Sequence, residues 1–204
     1  MKLYYAPGAC SLSPHISLRE AGADFEIEKV DVATHRTASG GDFREINPKG
    51  YVPALVLDGG EVVTEGAAVI QYIADRFPAA KLAPANGTLA RTRLQEQLNF
   101  IASELHKAFS PLFNPSASAD AREAAKAAVA RKFDHVEAVL SDGRPYLLGN
   151  AFSVADPYLF TVASWTGPTG IDVGRWPHLA GYLKRIAERP AVQAAMRAEG
   201  TVAA

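Results

Sequence analysis

The stretch Val52-Pro53-Ala54-Leu55-Val56-Leu57-Asp58-Gly59-Gly60-Glu61-Val62-Val63-Thr64-Glu65-Gly66 decides the fold. Residues 52–57 and 62–64 are short apolar runs, and Asp58-Gly59-Gly60 between them is a hairpin signal, because glycine reaches the positive φ of a tight turn. A proline opening the first run fits the end of a strand, where its missing N–H is tolerated. From Gly66 the period changes: Val69, Ile70, Ile73 and Phe77 recur at helical spacing until Pro78 stops the run. A hairpin therefore feeds straight into a helix through Thr64-Glu65-Gly66.

Working back toward the N-terminus, residues 25–32 alternate apolar and charged side chains, the period of a strand with one wet face. Residues 2–5 are a further strand, followed by a Pro7-Gly8 turn and a helix from Ser13 or Pro14 to Ala21. Residues 41–46 read as a short helical turn ending at Asn47-Pro48. The order β-α-β-α-β-β-α over residues 1–80 is that of a thioredoxin-like α/β domain. Beyond a linker at 79–87 the periodicity is helical throughout, over 88–113, 121–140, 153–165, 177–188 and 190–198. Ser153-Val154-Ala155-Asp156 resembles a capping box, with Asp in place of Glu or Gln. The expected architecture is an α/β domain, 1–80, followed by an all-α domain, 88–204.

Composition narrows the function. A net charge of −1 without any Lys/Arg run argues against a nucleic-acid partner. No apolar run approaches the roughly 18 residues of a membrane span, and Pro7 and Gly8 interrupt any signal-peptide core. The chain has one cysteine, so it forms no internal disulfide, and a reducing cytoplasm is the expected location. The five histidines lack metal-ligand spacing, and no metal is expected.

That cysteine, Cys10, sits in Ala6-Pro7-Gly8-Ala9-Cys10-Ser11-Leu12-Ser13, at the expected start of the first helix. Helix N–H groups and the peptide dipole favour thiolate there, lowering the thiol pKa from its usual value of about 8.5. A buried apolar cysteine is the alternative. Ser13 stands where a Cys-x-x-Cys motif would carry its resolving thiol, so a mixed disulfide formed at Cys10 has no internal exit. Val52, ahead of a proline suited to a cis bond, can offer its backbone to a peptide-like ligand. Glu65 at a helix start is either a simple cap or, with neighbouring N–H groups, a receptor for a zwitterionic α-amino acid end. On the helix from Arg91 to Phe109, Leu94, Leu98, Ile101 and Leu105 form the inward stripe, which leaves Asn99, Ser103 and His106 on the other side by the ~100° step per residue.

Taken together these segments resemble bacterial beta-class glutathione S-transferases over essentially the whole chain. The carriers are residues 2–11, Asn47-Pro48-Lys49-Gly50-Tyr51-Val52-Pro53, Thr64-Glu65-Gly66 with residues 70–75, residues 98–107, and Ser153-Val154-Ala155-Asp156. The resemblance implies glutathione as co-substrate and a homodimer. It places Cys10 at the glutathione sulfur, Val52 and Pro53 at its cysteinyl backbone, and Glu65 and Gly66 at its γ-glutamyl end. His106 would approach the sulfur as proton acceptor or orienting donor, with Asn99, Ser103 and Glu104 contributing from the same helix. Two positions depart from the family pattern. Gly66 stands where a serine is usual, and His35, beside Arg36, where a lysine would meet the glycyl carboxylate.

The implied activity is conjugation of glutathione to electrophilic compounds, aromatic or halogenated ones among them, with Phe109, Phe113 and Trp165 as a hydrophobic wall. Cys10 adds the prospect of thiol–disulfide exchange, peroxide reduction or reductive dehalogenation. The rivals are a ligandin-like carrier and a non-catalytic interaction scaffold; Tyr5 or Ser11 could also replace Cys10 in activating the sulfur.

Overall fold

The computed structural model describes residues 1–202. In chain order the elements are β1 (Lys2–Tyr5), α1 (Leu12–Glu20), β2 (Glu26–Asp31), β3 (Arg36–Thr37), β4 (Ala54–Val56), β5 (Val62–Thr64) and α2 (Gly66–Arg76). There follow α3 (Leu89–Asn99), α4 (His106–Ala108), α5 (Ser110–Phe113), α6 (Ala119–Leu140), α7 (Ala155–Ser164), α8 (Thr166–Thr169), α9 (Pro177–Ala187) and α10 (Pro190–Glu199). The chain divides into two compact units, one of Met1–Ala83 together with the segment beginning at Arg189, the other Pro84–Glu188.

In the first unit five strands form one sheet in the order β3-β2-β1-β4-β5. β1 pairs parallel to β2, with Leu3 opposite Ile27, and antiparallel to β4, with Leu3 opposite Leu55. β4 and β5 form the expected hairpin, Leu55 opposite Val63. Alternation along β1 sends Leu3 and Tyr4 to opposite faces. Leu3 and Leu55 pack with Leu18 of α1 and with Val69 and Ile73 of α2, all buried. Tyr4, Val30, Val52 and Ala54 instead pack around Phe43, whose ring lies 5.6 Å from that of Tyr4. Phe43 belongs to a single 3₁₀ turn, Phe43–Glu45, capped by the Asp42 side chain. The second helix of the expected β-α-β-α-β-β-α order is thus one turn long, and β3 is an added two-residue strand with no signal in the sequence.

α10 is the larger departure. The expectation of one helical domain over 88–204 meets a structure in which α10 packs on α1 in the first unit. At one end Arg189 makes a bidentate pair with Glu20, at 2.6 and 2.8 Å. At the other, Glu199 is buried against His15.

In the second unit Leu94, Leu98, Ile101 and Leu105 are all buried, as their stripe requires. The helix is not uniform, however: between α3 and α4 the segment Phe100–Leu105 is π-helical. Of the Ser153–Asp156 box the Asp half forms, while the Ser153 hydroxyl accepts from the Ala155 N–H rather than from that of Asp156. Asp156 Oδ2 accepts from the Ser153 N–H at 2.7 Å and from its hydroxyl at 3.2 Å. Its Oδ1 accepts from the Leu147 N–H and the Tyr182 hydroxyl, both at 2.9 Å. Burial pushes the Asp156 carboxyl pKa up, against those four donors. Glu137 of α6 caps α9 by accepting the N–H groups of His178 and Leu179.

Candidate active site

In the first unit the loop between β1 and α1 brings Cys10 to the segment before β4. Cys10 Sγ lies 3.2 Å from the Val52 carbonyl, to which the thiol donates. The Val52–Pro53 peptide is cis. α1 begins at Leu12 with Ser11 as its cap residue, so Cys10 precedes the cap rather than opening the helix. The amides of Leu12 and Ser13 donate to the carbonyls of Ala9 and Cys10, so these two N–H groups of the first turn are engaged by the turn itself. Cys10 is half-buried.

The two alternative sulfur-activating residues, Tyr5 and Ser11, are both buried. Ser11 is fully buried, and its hydroxyl clasps the loop, accepting from the Ala6 N–H and donating to the Ala6 carbonyl. Tyr5 is buried, and burial pushes its phenol pKa up, with the charge of Glu199 adding to the effect.

Three polar residues that carry no local sequence signature shape this loop from behind. Glu199 Oε2 accepts the Gly8 N–H at 3.0 Å, and Oε1 lies 2.8 Å from His15 Nδ1. Arg19 donates its Nε–H to His15 Nε2 at 3.0 Å. A guanidinium only donates, so Nε2 must be the acceptor and Nδ1 carries the ring proton to Glu199. His15 and Arg19 are four apart on α1, the ordinary spacing of helical neighbours, whereas only the packing of α10 on α1 brings Glu199 to His15 and Gly8.

Glu65 stands at the start of α2 with φ +67°, a left-handed conformation unusual for a residue with a side chain. Its carbonyl accepts the N–H groups of Ala68 and Val69, and its carboxylate is exposed. Gly66 is the first helical residue. Across from Glu65, Lys49 Nζ donates to Glu65 Oε1 at 2.6 Å and to Thr64 Oγ1 at 3.1 Å. The loop carrying Lys49 is organised by buried Asn47, which donates from Nδ2 to the Tyr51 carbonyl and accepts the Lys49 N–H at Oδ1. His35 also has positive φ, +55°, and its ring lies against Gly50 of this loop. A Cβ on Gly50 would fall 3.0 Å from the ring, and Gly50 itself has φ +78°, so glycine is needed there. Arg36 turns away, donating to the Gly40 carbonyl.

In the second unit His106 is half-buried. Its Nδ1 lies 3.1 Å from the Tyr158 hydroxyl, and its ring meets Trp165 edge-on at 4.8 Å. Burial, with Lys107 adding to it, pushes the His106 pKa down to about 4. Phe109, Phe113 and Trp165 do form one cluster, with ring centroids 5.4–6.5 Å apart. Within it Phe109 is wholly buried, Trp165 nearly so, and Phe113 is half-exposed. Asn99 and Ser103 are exposed, the Ser103 hydroxyl donating back to the Asn99 carbonyl. Glu104 is exposed and paired with Lys132. Asn99 and Ser103 thus face water, whereas His106, just beyond the π-helical segment, meets Tyr158 and Trp165. Among the described residues no group of three or more His, Cys, Asp or Glu could hold a metal ion, and no helix is long and apolar enough to cross a membrane.

Comparison with known proteins gives one answer. Residues 8–76 match the model of the glutathione S-transferase N-terminal domain, and residues 100–190 that of the C-terminal domain. Glutathione S-transferase GstA of Escherichia coli O157:H7 is 44% identical over 200 residues, covering 98% of this chain and 99% of that protein. The structure of a sphingomonad glutathione S-transferase complexed with glutathione superposes with a TM-score of 0.95 at 52% identity, over 99% of this chain and 100% of that one. The bacterial beta-class glutathione S-transferase of Sphingomonas chungbukensis gives 0.96 at 51% identity, over the same shares of the two chains. With both halves matched and the likeness running from end to end, the chain belongs to the glutathione S-transferase family.

Proposed function

We propose that the chain binds glutathione on its first unit and transfers it to a small hydrophobic electrophile. The observation that carries this reading is the Cys10 thiol 3.2 Å from the Val52 carbonyl, beside cis-Pro53, in the same unit as Glu65 at the head of α2. A cysteinyl backbone pairs with Val52 as an added strand, and the γ-glutamyl end sits at Glu65 and the Gly66 N–H. His35 faces the glycyl end. Asn99, Ser103 and Glu104 complete the site in a homodimer, Glu104 exchanging its Lys132 partner for the ligand. Phe113 and Trp165 provide the hydrophobic wall, with Phe109 as their support. The working location is a reducing cytoplasm.

In conjugation the glutathione thiol loses its proton to solvent, its sulfur bonds to the electrophilic carbon, and the leaving group departs with the bonding pair. A histidine whose pKa is near 4 does not retain a proton at neutral pH, so His106 acts as a neutral hydrogen-bond donor to the sulfur. Of the two neutral tautomers, the one whose Nδ1 accepts from the Tyr158 hydroxyl keeps its proton on Nε2, and that tautomer serves this purpose. Cys10 supports a second reaction: its thiol attacks oxidised glutathione, forms a Cys10–glutathione disulfide and releases one glutathione thiol. Disulfide exchange is completed when a second glutathione thiol attacks that adduct, releasing oxidised glutathione and the Cys10 thiol. Peroxide reduction starts instead from the free Cys10 thiolate, which takes one peroxide oxygen as a sulfenic acid and releases the alcohol; one glutathione thiol then displaces water to form the mixed disulfide, and a second releases oxidised glutathione.

The test is glutathione-dependent turnover of an aryl halide and of an organic hydroperoxide by the native chain and Cys10→Ala. Retention of aryl transfer with loss of hydroperoxide reduction supports this division of labour between the site and its cysteine. Absence of both activities in the native chain, with glutathione still bound, replaces it with the carrier or scaffold reading.

A further inference from the structure

The Glu65 carboxylate, whose proposed ligand is an ammonium, already holds an ammonium of the protein's own. Lys49 Nζ sits 2.6 Å from Glu65 Oε1 and 3.1 Å from Thr64 Oγ1. The two backbones that carry this pair are fixed independently. Asn47 ties the Lys49 loop through its bonds to the Lys49 N–H and the Tyr51 carbonyl. The first turn of α2 holds Glu65 through the amides of Ala68 and Val69. The side-chain tips, by contrast, are open to water, at 48% exposure for Lys49 and 67% for Glu65. An exposed ion pair of this kind contributes little and opens readily.

An α-amino acid head carries an ammonium and a carboxylate on one carbon. Inserted between Lys49 and Glu65, it replaces one exposed ion pair with two, its ammonium on Glu65 and its carboxylate on the lysine. The carboxylate needs such a partner here, because Gly66 has no hydroxyl and can offer only a backbone N–H. Resting on the glutathione reading, we propose that Lys49 is a specificity-determining residue, taking the α-carboxylate of the γ-glutamyl group while Glu65 takes its ammonium.

The experiment is calorimetric titration of the full chain, under reducing conditions, with three probes: glutathione, its analogue with the γ-glutamyl α-carboxylate converted to carboxamide, and its des-amino analogue. Lys49→Met is expected to weaken glutathione binding about tenfold, and to weaken the des-amino analogue similarly. It should change affinity for the carboxamide less than about twofold, because the group that Lys49 would contact is already neutral. Lys49→Arg should restore most of the glutathione affinity. Unchanged or tighter glutathione binding by Lys49→Met overturns the assignment and makes Lys49 a mere competitor for Glu65. Equal losses for glutathione and the carboxamide overturn it too, since the lysine would then act through the loop. If the native chain binds none of the probes, the glutathione reading itself fails; if it binds them and only the lysine pattern is missing, that reading stands without Lys49.

Discussion

Glu65 shows how one residue can serve its ligand against its own backbone. At φ +67° the residue is in a region that costs roughly 1–3 kcal/mol for a side chain other than glycine. Glycine would relieve that strain, against ~0.4–1 kcal/mol from the greater freedom it gives the unfolded chain. Glu65→Gly should therefore be at least as stable as the native chain in urea while losing glutathione binding, a split that separates a ligand-binding role from a simple helix cap. His106 makes the corresponding point for charge. The unfolded imidazole takes its proton near pH 6.5, whereas the buried one stays neutral down to about 4. Between those values the unfolded chain binds more protons than the native one, so acidification favours unfolding. The contribution is fully present above about pH 6.5 and is lost as pH falls toward 4, on the order of 3 kcal/mol by pH 4. His106→Asn, neutral throughout, should flatten that part of the urea-midpoint profile; an unchanged pH slope would place the histidine in water.

Among the elements, α7 depends most on a single side chain. Asp156 accepts four hydrogen bonds from residues 147, 153 and 182 while wholly buried. Asp156→Ala strands its buried donors, at roughly 3–5 kcal/mol; the urea midpoint should drop sharply, and Asp156→Asn should recover part of it. The Ser-x-x-Asp pattern was legible from the sequence because its members are three residues apart. The π-helical segment Phe100–Leu105 was not. Its residues have ordinary helical spacing, and that spacing names neither the wider turn nor the partners of His106, Tyr158 and Trp165. The partners of His106 are thus a tertiary outcome.

At the scale of the whole molecule, the return of α10 to the first unit is decisive. Glu199, 184 positions from His15, ties the far end of the chain to the helix that follows the Cys10 loop, and to Gly8 within that loop. Glu199→Ala leaves the buried His15 N–H and the Gly8 N–H without their acceptor. It should destabilise the chain by roughly 2–5 kcal/mol and speed the reaction of Cys10 with an aromatic disulfide reagent as the loop loosens. Native-like Cys10 reactivity in a destabilised variant would confine Glu199 to stability alone.

By itself the sequence determined what depends on neighbours along the chain. The hairpin around Asp58-Gly59-Gly60, the helix that follows it, the apolar stripe from Leu94 to Leu105 and the capping box at Ser153 are all encoded within a few residues of one another. Cys10, Val52, Pro53 and Glu65 were recognisable as candidates because each sits on a local signature, and the sheet order brings them into one unit. Only the tertiary structure brought Glu199 to His15 behind the cysteine loop, paired Lys49 with Glu65, and set His106 against Tyr158. Those contacts span from 16 to 184 positions and follow from which faces pack. Periodicity tells which side of an element is buried, but not which residue from elsewhere arrives to meet it.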